Sequence, residues 1–318
     1  MSIRDSKIIF WGTPEIAAHC LEHLINSGKN VVGVVTQPDK PAGRKQILTP
    51  SPVKVIAEKA KIHVFQPETL KNDDFYLKTA DLDANINIIV AYGKIIPKKI
   101  IDLPAEFVNL HFSLLPKYRG AAPAQRAIID GLDETGITVQ FLAEKLDCGE
   151  IILQEKIKIE INDTSESLLN KCAETGAPML SKTVELIDKN IAPRITQNDD
   201  EATFAPKLTK DNGIINWKKS AREIHDQIRG CYPWPGTVTK LGDKQIKIWK
   251  SVLPETSQNN ENGKLPPGTI ETTKKQIFVH TEDGIIELIE IQSPGKTRMS
   301  AQAFLSGHRN LLKNNKFE

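Results

Sequence analysis

The chain has 318 residues, 39% hydrophobic and 26% charged, ordinary values for a soluble globular protein long enough for two domains. No apolar run approaches the roughly 20 residues of a membrane span, and Cys20, Cys148, Cys172 and Cys231 are too scattered for a disulfide framework or a thiolate metal site. The net charge of +2 is unevenly spread: residues 207–318 hold 18 Lys/Arg against 12 Asp/Glu, residues 1–206 hold 24 against 28, a split that permits contact with a polyanion or marks a merely solvated surface.

The start, M-S-I-R-D-S-K, runs straight into the first strand, which predicts no signal peptide and a cytoplasmic location. Residues 1–190 then alternate strand and helix, the pattern of an open, mostly parallel, Rossmann-like α/β sheet covered on both faces. After a strand over 7–10, Thr13 suits an N-cap, Pro14 the first helical position and Gly28 the helix stop. Only Gly12 stands where a dinucleotide loop needs G-x-G-x-x-G, and Glu15 would repel a pyrophosphate, which excludes NAD. On that helix His19, Glu22 and His23 lie opposite Ala17, Cys20, Leu21 and Leu24, as a solvated polar face rather than a metal site.

A strand over 31–36 leads into residues 37–50, too long for a routine connection and expected to lack structure of its own. Prolines 38, 41, 50 and 52 stiffen its ends, and Gly43 is a pivot beside Lys40, Arg44 and Lys45. Those cations suit phosphates, with a surface insertion as the plain alternative. A strand over 61–65 and a helix over 68–78 follow, and then an apolar strand over 85–90. It ends in Ala91-Tyr92-Gly93, either a simple turn or a wall for a flat ring.

Residues 108–116 read V-N-L-H-F-S-L-L-P, a buried strand stopped by Pro116. Side chains alternate along a strand, so Asn109 and His111 share one face near its carboxyl end, where open α/β sheets bind ligands. An amide donor beside a proton-carrying imidazole suits charge developing on a carbonyl oxygen; equally, such a pair can satisfy nearby backbone groups. A helix over 124–130 and a strand over 135–142 follow. Asp147 then falls in a tight turn, as a third active-site group or a self-capping turn residue. A long helix over 164–189 and a polar linker over 190–206 complete a first domain of residues 1–189. Five short strands after residue 207, at 237–241, 245–249, 269–272, 276–280 and 284–291, predict a second domain, a small OB-like β-barrel.

Several segments in order carry a resemblance: G-T-P-E at 12–15, T-Q-P-D-K-P-A-G-R at 36–44, V-A-Y-G-K-I-I-P at 90–97, N-L-H-F-S-L-L-P-K-Y-R-G-A-A-P at 109–123, L-D-C-G-E at 146–150, F-A-P-K-L-T at 204–209 and P-W-P-G at 233–236. Together they resemble the formyltransferase family that takes its formyl group from 10-formyltetrahydrofolate. The resemblance implies that Asn109, His111 and Asp147 are catalytic, with Asn109 and protonated His111 donating to the formyl oxygen. It also implies that Ser113, Leu114, Leu115 and Pro116, with Tyr92 and Gly93, bind the folate. The implied acceptor is the α-amino group of methionyl-initiator tRNA, held by Lys40, Arg44 and Lys45 and by residues 207–318, in a monomer needing no metal. Phe112 and Trp11 are bulkier than the family's usual residues there. An N-formyltransferase for an amino-sugar nucleotide would share both domains without needing the basic arm. A non-catalytic tRNA-binding protein would not need the Asn109–His111–Asp147 set.

Overall fold

The structure, a computed structural model, describes residues 5–43, 46–71, 73–254, 265–313 and 316–318. It divides into two compact units, neither a single run of sequence: Met1–Pro123, Thr135–Ile157 and Leu169–Phe204 form the first, and Ala124–Glu134, Lys158–Leu168 and Ala205–Glu318 the second.

The first unit is built on a seven-stranded sheet of β1 (Ile8–Gly12), β2 (Val31–Val35), β5 (His63–Phe65), β6 (Ile86–Val90), β7 (Glu106–His111), β8 (Glu134–Phe141) and β9 (Ile151–Lys158). Their order is β5-β2-β1-β6-β7-β8-β9, parallel from β5 to β7 and antiparallel between β7 and β8. The chain leaves β1 toward β2 and returns to β6 on its other side, so the order reverses there, the place where open α/β sheets form a crevice.

The first helix, α1 (Glu15–Asn26), buries Ala17, Ala18, Cys20, Leu21 and Leu24, and burial pushes the Cys20 thiol up to about 12. Each fully buried Leu contributes about 1.5–3 kcal/mol. The helix begins after the expected Thr13 cap because the Thr13 hydroxyl donates instead to the Tyr92 carbonyl at 3.0 Å, leaving Pro14 at the cap position. Trp11, 1% exposed, fits edge-on between Phe75 and Tyr92 and donates through Nε1 to Asn87 Oδ1 at 2.9 Å. Its bulk therefore belongs to the core, as does that of buried Phe112. Further helices are α2 (Pro52–Lys59), capped by the Ser51 hydroxyl, α3 (Asp73–Ala80), the short α4 (Lys98–Ile101), α5 (Pro123–Ile129) and α6 (Ser165–Asp188).

Residues 37–50 depart from expectation, since they contain a two-stranded hairpin, β3 (Lys40–Ala42) with β4 (Ile47–Thr49). Its base is tied down by Asp39, which accepts from Lys54 Nζ and Gln66 Nε2, both at 2.7 Å.

The second unit carries an antiparallel sheet, β10 (Thr237–Leu241), β11 (Lys244–Val252), β12 (Ile270–Thr272), β13 (Ile277–His280), β14 (Ile285–Gln292) and β15 (Met299–Ser300), in the order β10-β11-β14-β13-β12 with β15 on β14. It curls into a half-barrel. Residues 317 and 318 bridge its open side: Glu318 exchanges both backbone hydrogen bonds with Lys240, and Phe317 N donates to the Gly268 carbonyl at 2.9 Å. Helix α7 (Ala221–Gly230), opened by a Ser220–Glu223 capping box, and α8 (Ala301–Lys313) belong with it. A kink at His308 interrupts the helical period of α8 and hides it from pattern reading.

Candidate active site

Strand β7 pairs with β6 and β8, with Asn109 opposite Ile89 and Gln140, and His111 opposite Thr138. His111 is buried, and its Nε2 lies 2.9 Å from the Tyr118 carbonyl. A carbonyl only accepts, so Nε2 carries a proton and Nδ1 is the ring atom that faces Asp147, whose Oδ2 is 3.7 Å away. Burial pushes the imidazole below its ordinary value, against the pull of the Asp147 charge and the Tyr118 carbonyl. The resting ring is therefore neutral near pH 7 rather than protonated, and Nδ1 is vacant. Asn109 is half-buried and makes no side-chain hydrogen bond among the described residues, so its amide is free.

Asp147 follows β8 in a left-handed conformation, φ +52°. Its Oδ2 accepts from Gly120 N at 2.8 Å and its Oδ1 from Gln140 Nε2 at 3.3 Å. The turn needs Gly149: a Cβ there would sit 1.7 Å from the Phe141 carbonyl oxygen. Ala91 (φ +46°) and Tyr118 (φ +58°) are left-handed too, so each of the segments that follow β6, β7 and β8 carries a strained non-glycine residue.

Ser113 and Leu115 are buried, and their polar groups are largely engaged within the protein. The Ser113 hydroxyl donates to the Lys117 carbonyl at 2.6 Å, Leu115 N donates to Thr138 Oγ1, and Gln154 donates to the Leu115 carbonyl. Leu114 lies over Gly136, and the Leu115–Pro116 peptide is cis. Tyr92 does not present its ring as a wall: it is 2% exposed, and burial pushes its hydroxyl up to about 12. Its carbonyl, held by Thr13 and Gln37, and Gly93 (φ +82°) are what stand at the end of β6. Lys40 is exposed on β3 and donates to Gln37 Oε1 at 2.6 Å, while Arg44 and Lys45 lie outside the described residues. Among the described residues no group of three or more His, Cys, Asp or Glu could hold a metal ion, and no helix is long and apolar enough to cross a membrane.

Sequence reasoning missed Gln140, Arg119 and Gln197. Gln140 had a signal, since Thr138 and Gln140 are polar at alternate positions of a strand that is buried from Thr135 to Phe141. Gln197 had none, because its surroundings read as a polar linker.

Asn, His and Asp gathered beyond the strand ends of an open α/β sheet can stabilise charge on a carbonyl oxygen and move a proton, which is what an enzyme of acyl-group transfer requires. The match is specific: the formyl transferase model covers residues 6–184 and the formyl transferase C-terminal domain model residues 207–309, and the chain belongs to this family. It is 43% identical over 303 residues to a methionyl-tRNA formyltransferase of Desulforamulus reducens (95% of this chain, 94% of that one) and 43% identical over 310 residues to that of Staphylococcus aureus (96% and 98%). Among solved structures it resembles WlaRD, a sugar 3N-formyl transferase in the presence of dTDP and 5-N-formyl-THF, with TM-score 0.67 and 22% identity over 92% of this chain and 100% of that one. It also resembles a methionyl-tRNA formyltransferase from Clostridium thermocellum, with TM-score 0.58 and 16% identity over 79% and 95%. Those two likenesses concern the fold alone.

Proposed function

We infer that this chain transfers the formyl group of 10-formyltetrahydrofolate to the α-amino group of methionyl-initiator tRNA. The observation that carries the reading is the free Asn109 amide beside the His111–Asp147 pair, in a chain whose near-full-length relatives are methionyl-tRNA formyltransferases. Asn109 donates to the formyl oxygen as negative charge grows there. His111 Nδ1 and the Asp147 carboxylate, 3.7 Å apart, form a seat for one proton. The pair takes the proton that the attacking amine sheds and returns one to the departing nitrogen of the donor. Burial of the imidazole favours a brief imidazolium over a permanent one.

An uncharged amide and a neutral imidazole beside a carboxylate fit a neutral formyl group better than a phosphate. The segments 91–93 and 113–116 are assigned to the folate, with the Tyr92 ring in the core and the chain around Gly93 facing the ligand. Lys40 on β3, with Arg44 and Lys45 that follow it in sequence, is assigned to acceptor-arm phosphates, and the basic residues 207–318 to the rest of the tRNA. The deciding experiment supplies the formyl donor with charged initiator tRNA, charged elongator tRNA or an amino-sugar nucleotide. Formylation of initiator methionyl-tRNA alone is expected. Turnover of the amino sugar instead would replace this reading, and tRNA binding without any turnover would make the protein a non-catalytic binder.

A further inference from the structure

We propose that Gln197 is a positioning residue for the reaction, holding the Asp147 turn at the angle from which its carboxylate faces His111. The inference rests on the catalytic assignment of His111 and Asp147. Gln197 is 8% exposed and lies in the stretch of the first unit that follows α6. Ile195 exchanges both backbone hydrogen bonds with Ile151, and Arg119 N donates to the Thr203 carbonyl at 2.8 Å.

The Gln197 Nε2 lies 2.9 Å from the Asp147 carbonyl, 2.8 Å from the Gly149 carbonyl and 3.1 Å from Gln140 Oε1. Its Oε1 accepts from Arg119 Nε at 3.1 Å and Nη2 at 2.8 Å, and the same Nη2 reaches Asp199 Oδ1 at 2.7 Å. A guanidinium only donates and the three facing oxygens accept here, so the amide has a single workable orientation. Gln140, its oxygen engaged by Gln197, presents its Nε2 to Asp147 Oδ1. Both the backbone and one carboxylate oxygen of Asp147 thus lead back to Gln197. Without it, two carbonyls of a strained turn lose their donor, and the left-handed Asp147 (φ +52°) keeps its Gly120 N bond but loses the anchor on its backbone. Glutamate would set a carboxylate against three oxygens, and methionine would fill the space while pairing none of them.

The test uses the full chain with Gln197→Met, and with Gln197→Asn, which keeps the amide but shortens its reach, should the first not fold. Steady-state kinetics with 10-formyltetrahydrofolate and methionyl-tRNA are read beside the His111 ring titration by NMR. Gln197→Met is expected to lower kcat by about 10²-fold, the loss that a misplacement of about 1 Å brings, with both KM values within about threefold. His111 should titrate lower than in the parent, because the Asp147 charge has swung away. In an Asp147→Asn background, Gln197→Met should cost no further rate. A folded variant with kcat within about threefold and an unmoved His111 titration overturns the proposal. So do losses that multiply in the double variant, which mark general damage to the fold. If Asp147→Asn itself leaves the rate intact, the catalytic assignment fails instead, and the His111 titration in Gln197→Met alone still decides whether Gln197 aims Asp147.

Discussion

Replacing Asp147 by Asn alters one atom and removes one charge. Two donors point at the carboxylate, Gly120 N at 2.8 Å and Gln140 Nε2 at 3.3 Å. An amide offers one oxygen and one NH2, so in either orientation one donor faces another. That costs about 1–3 kcal/mol, too little to unfold a domain of ordinary stability, about 5–15 kcal/mol. The effect on His111 is larger. At the 3.7 Å between Nδ1 and Oδ2 the Coulomb attraction of the charged pair is about 4 kcal/mol at an effective dielectric of about 20. Losing that attraction, the ring should titrate lower in the variant than in the parent. Burial already holds the parent ring below its ordinary value, so the variant cannot keep the transferred proton at neutral pH. Single-turnover formylation of methionyl-tRNA should slow by about 10²–10⁴-fold while donor affinity holds. The assay pairs that rate with an NMR titration of His111 in parent and variant. A rate within about threefold of the parent, with the titration unmoved, would refute the proton-seat argument.

Asn109→Ala removes the one free amide donor on the strand face and should lower kcat by about 10²–10³-fold with tRNA affinity intact, read by steady-state kinetics and a binding titration; an unchanged kcat takes Asn109 out of the mechanism. His111 and His225 are both held below the ordinary histidine value, chiefly by burial, so each binds fewer protons folded than unfolded. Their contribution to stability is complete above about pH 6.5 and is lost as pH falls from there toward the folded values, by at most about 1.4 kcal/mol per pH unit for each ring. Urea unfolding at pH 7.5, 6.5 and 5.5 measures this, and a flat profile contradicts it. Gly149→Ala puts a Cβ 1.7 Å from the Phe141 carbonyl oxygen and must disturb the Phe141 N to Glu150 carbonyl bond of 2.8 Å, so a loss of about 2–4 kcal/mol is expected in the same unfolding assay. Parent-like stability would show that the turn relaxes freely.

Most strands of the two larger sheets were legible because their signal is local, apolar runs or alternation bounded by Gly, Pro or Asn, whereas the two-residue β15 carries no pattern. The N-x-H face was legible because β alternation alone puts Asn109 and His111 side by side. What escaped depended on distant partners. Thr13 reads as a helix cap until the Tyr92 carbonyl competes for its hydroxyl. Tyr92 reads as a ligand wall until Trp11 and the core around it take its ring. Residues 37–50 read as bare loop because a three-residue strand such as Lys40–Ala42, with Pro41 in its middle, carries almost no pattern. Residues 190–206 read as linker because Asn, Gln and Asp look alike in sequence whether solvated or buried in a network.

The left-handed residues Ala91, Tyr118 and Asp147, in the segments that follow β6, β7 and β8, explain how the network and the chemistry belong together. Each non-glycine residue in that conformation costs about 1–2 kcal/mol, so Ala91, Tyr118 and Asp147 together cost about 3–6 kcal/mol. Hydrogen bonds from other segments meet that cost. Thr13 and Gln37 donate to the Tyr92 carbonyl, beside Ala91; Tyr118 N donates to Thr203 Oγ1; Gly120 N, Gln140 and Gln197 donate to Asp147. Six such bonds at about 0.5–1.5 kcal/mol each give about 3–9 kcal/mol, enough to offset the strain without a substrate. The backbone that aims the Tyr118 carbonyl at His111 and Asp147 at the same ring is therefore fixed in the free protein. In the proposed reaction, donors and proton acceptor would then be in position before charge develops, and little of the barrier would go into reorganising them.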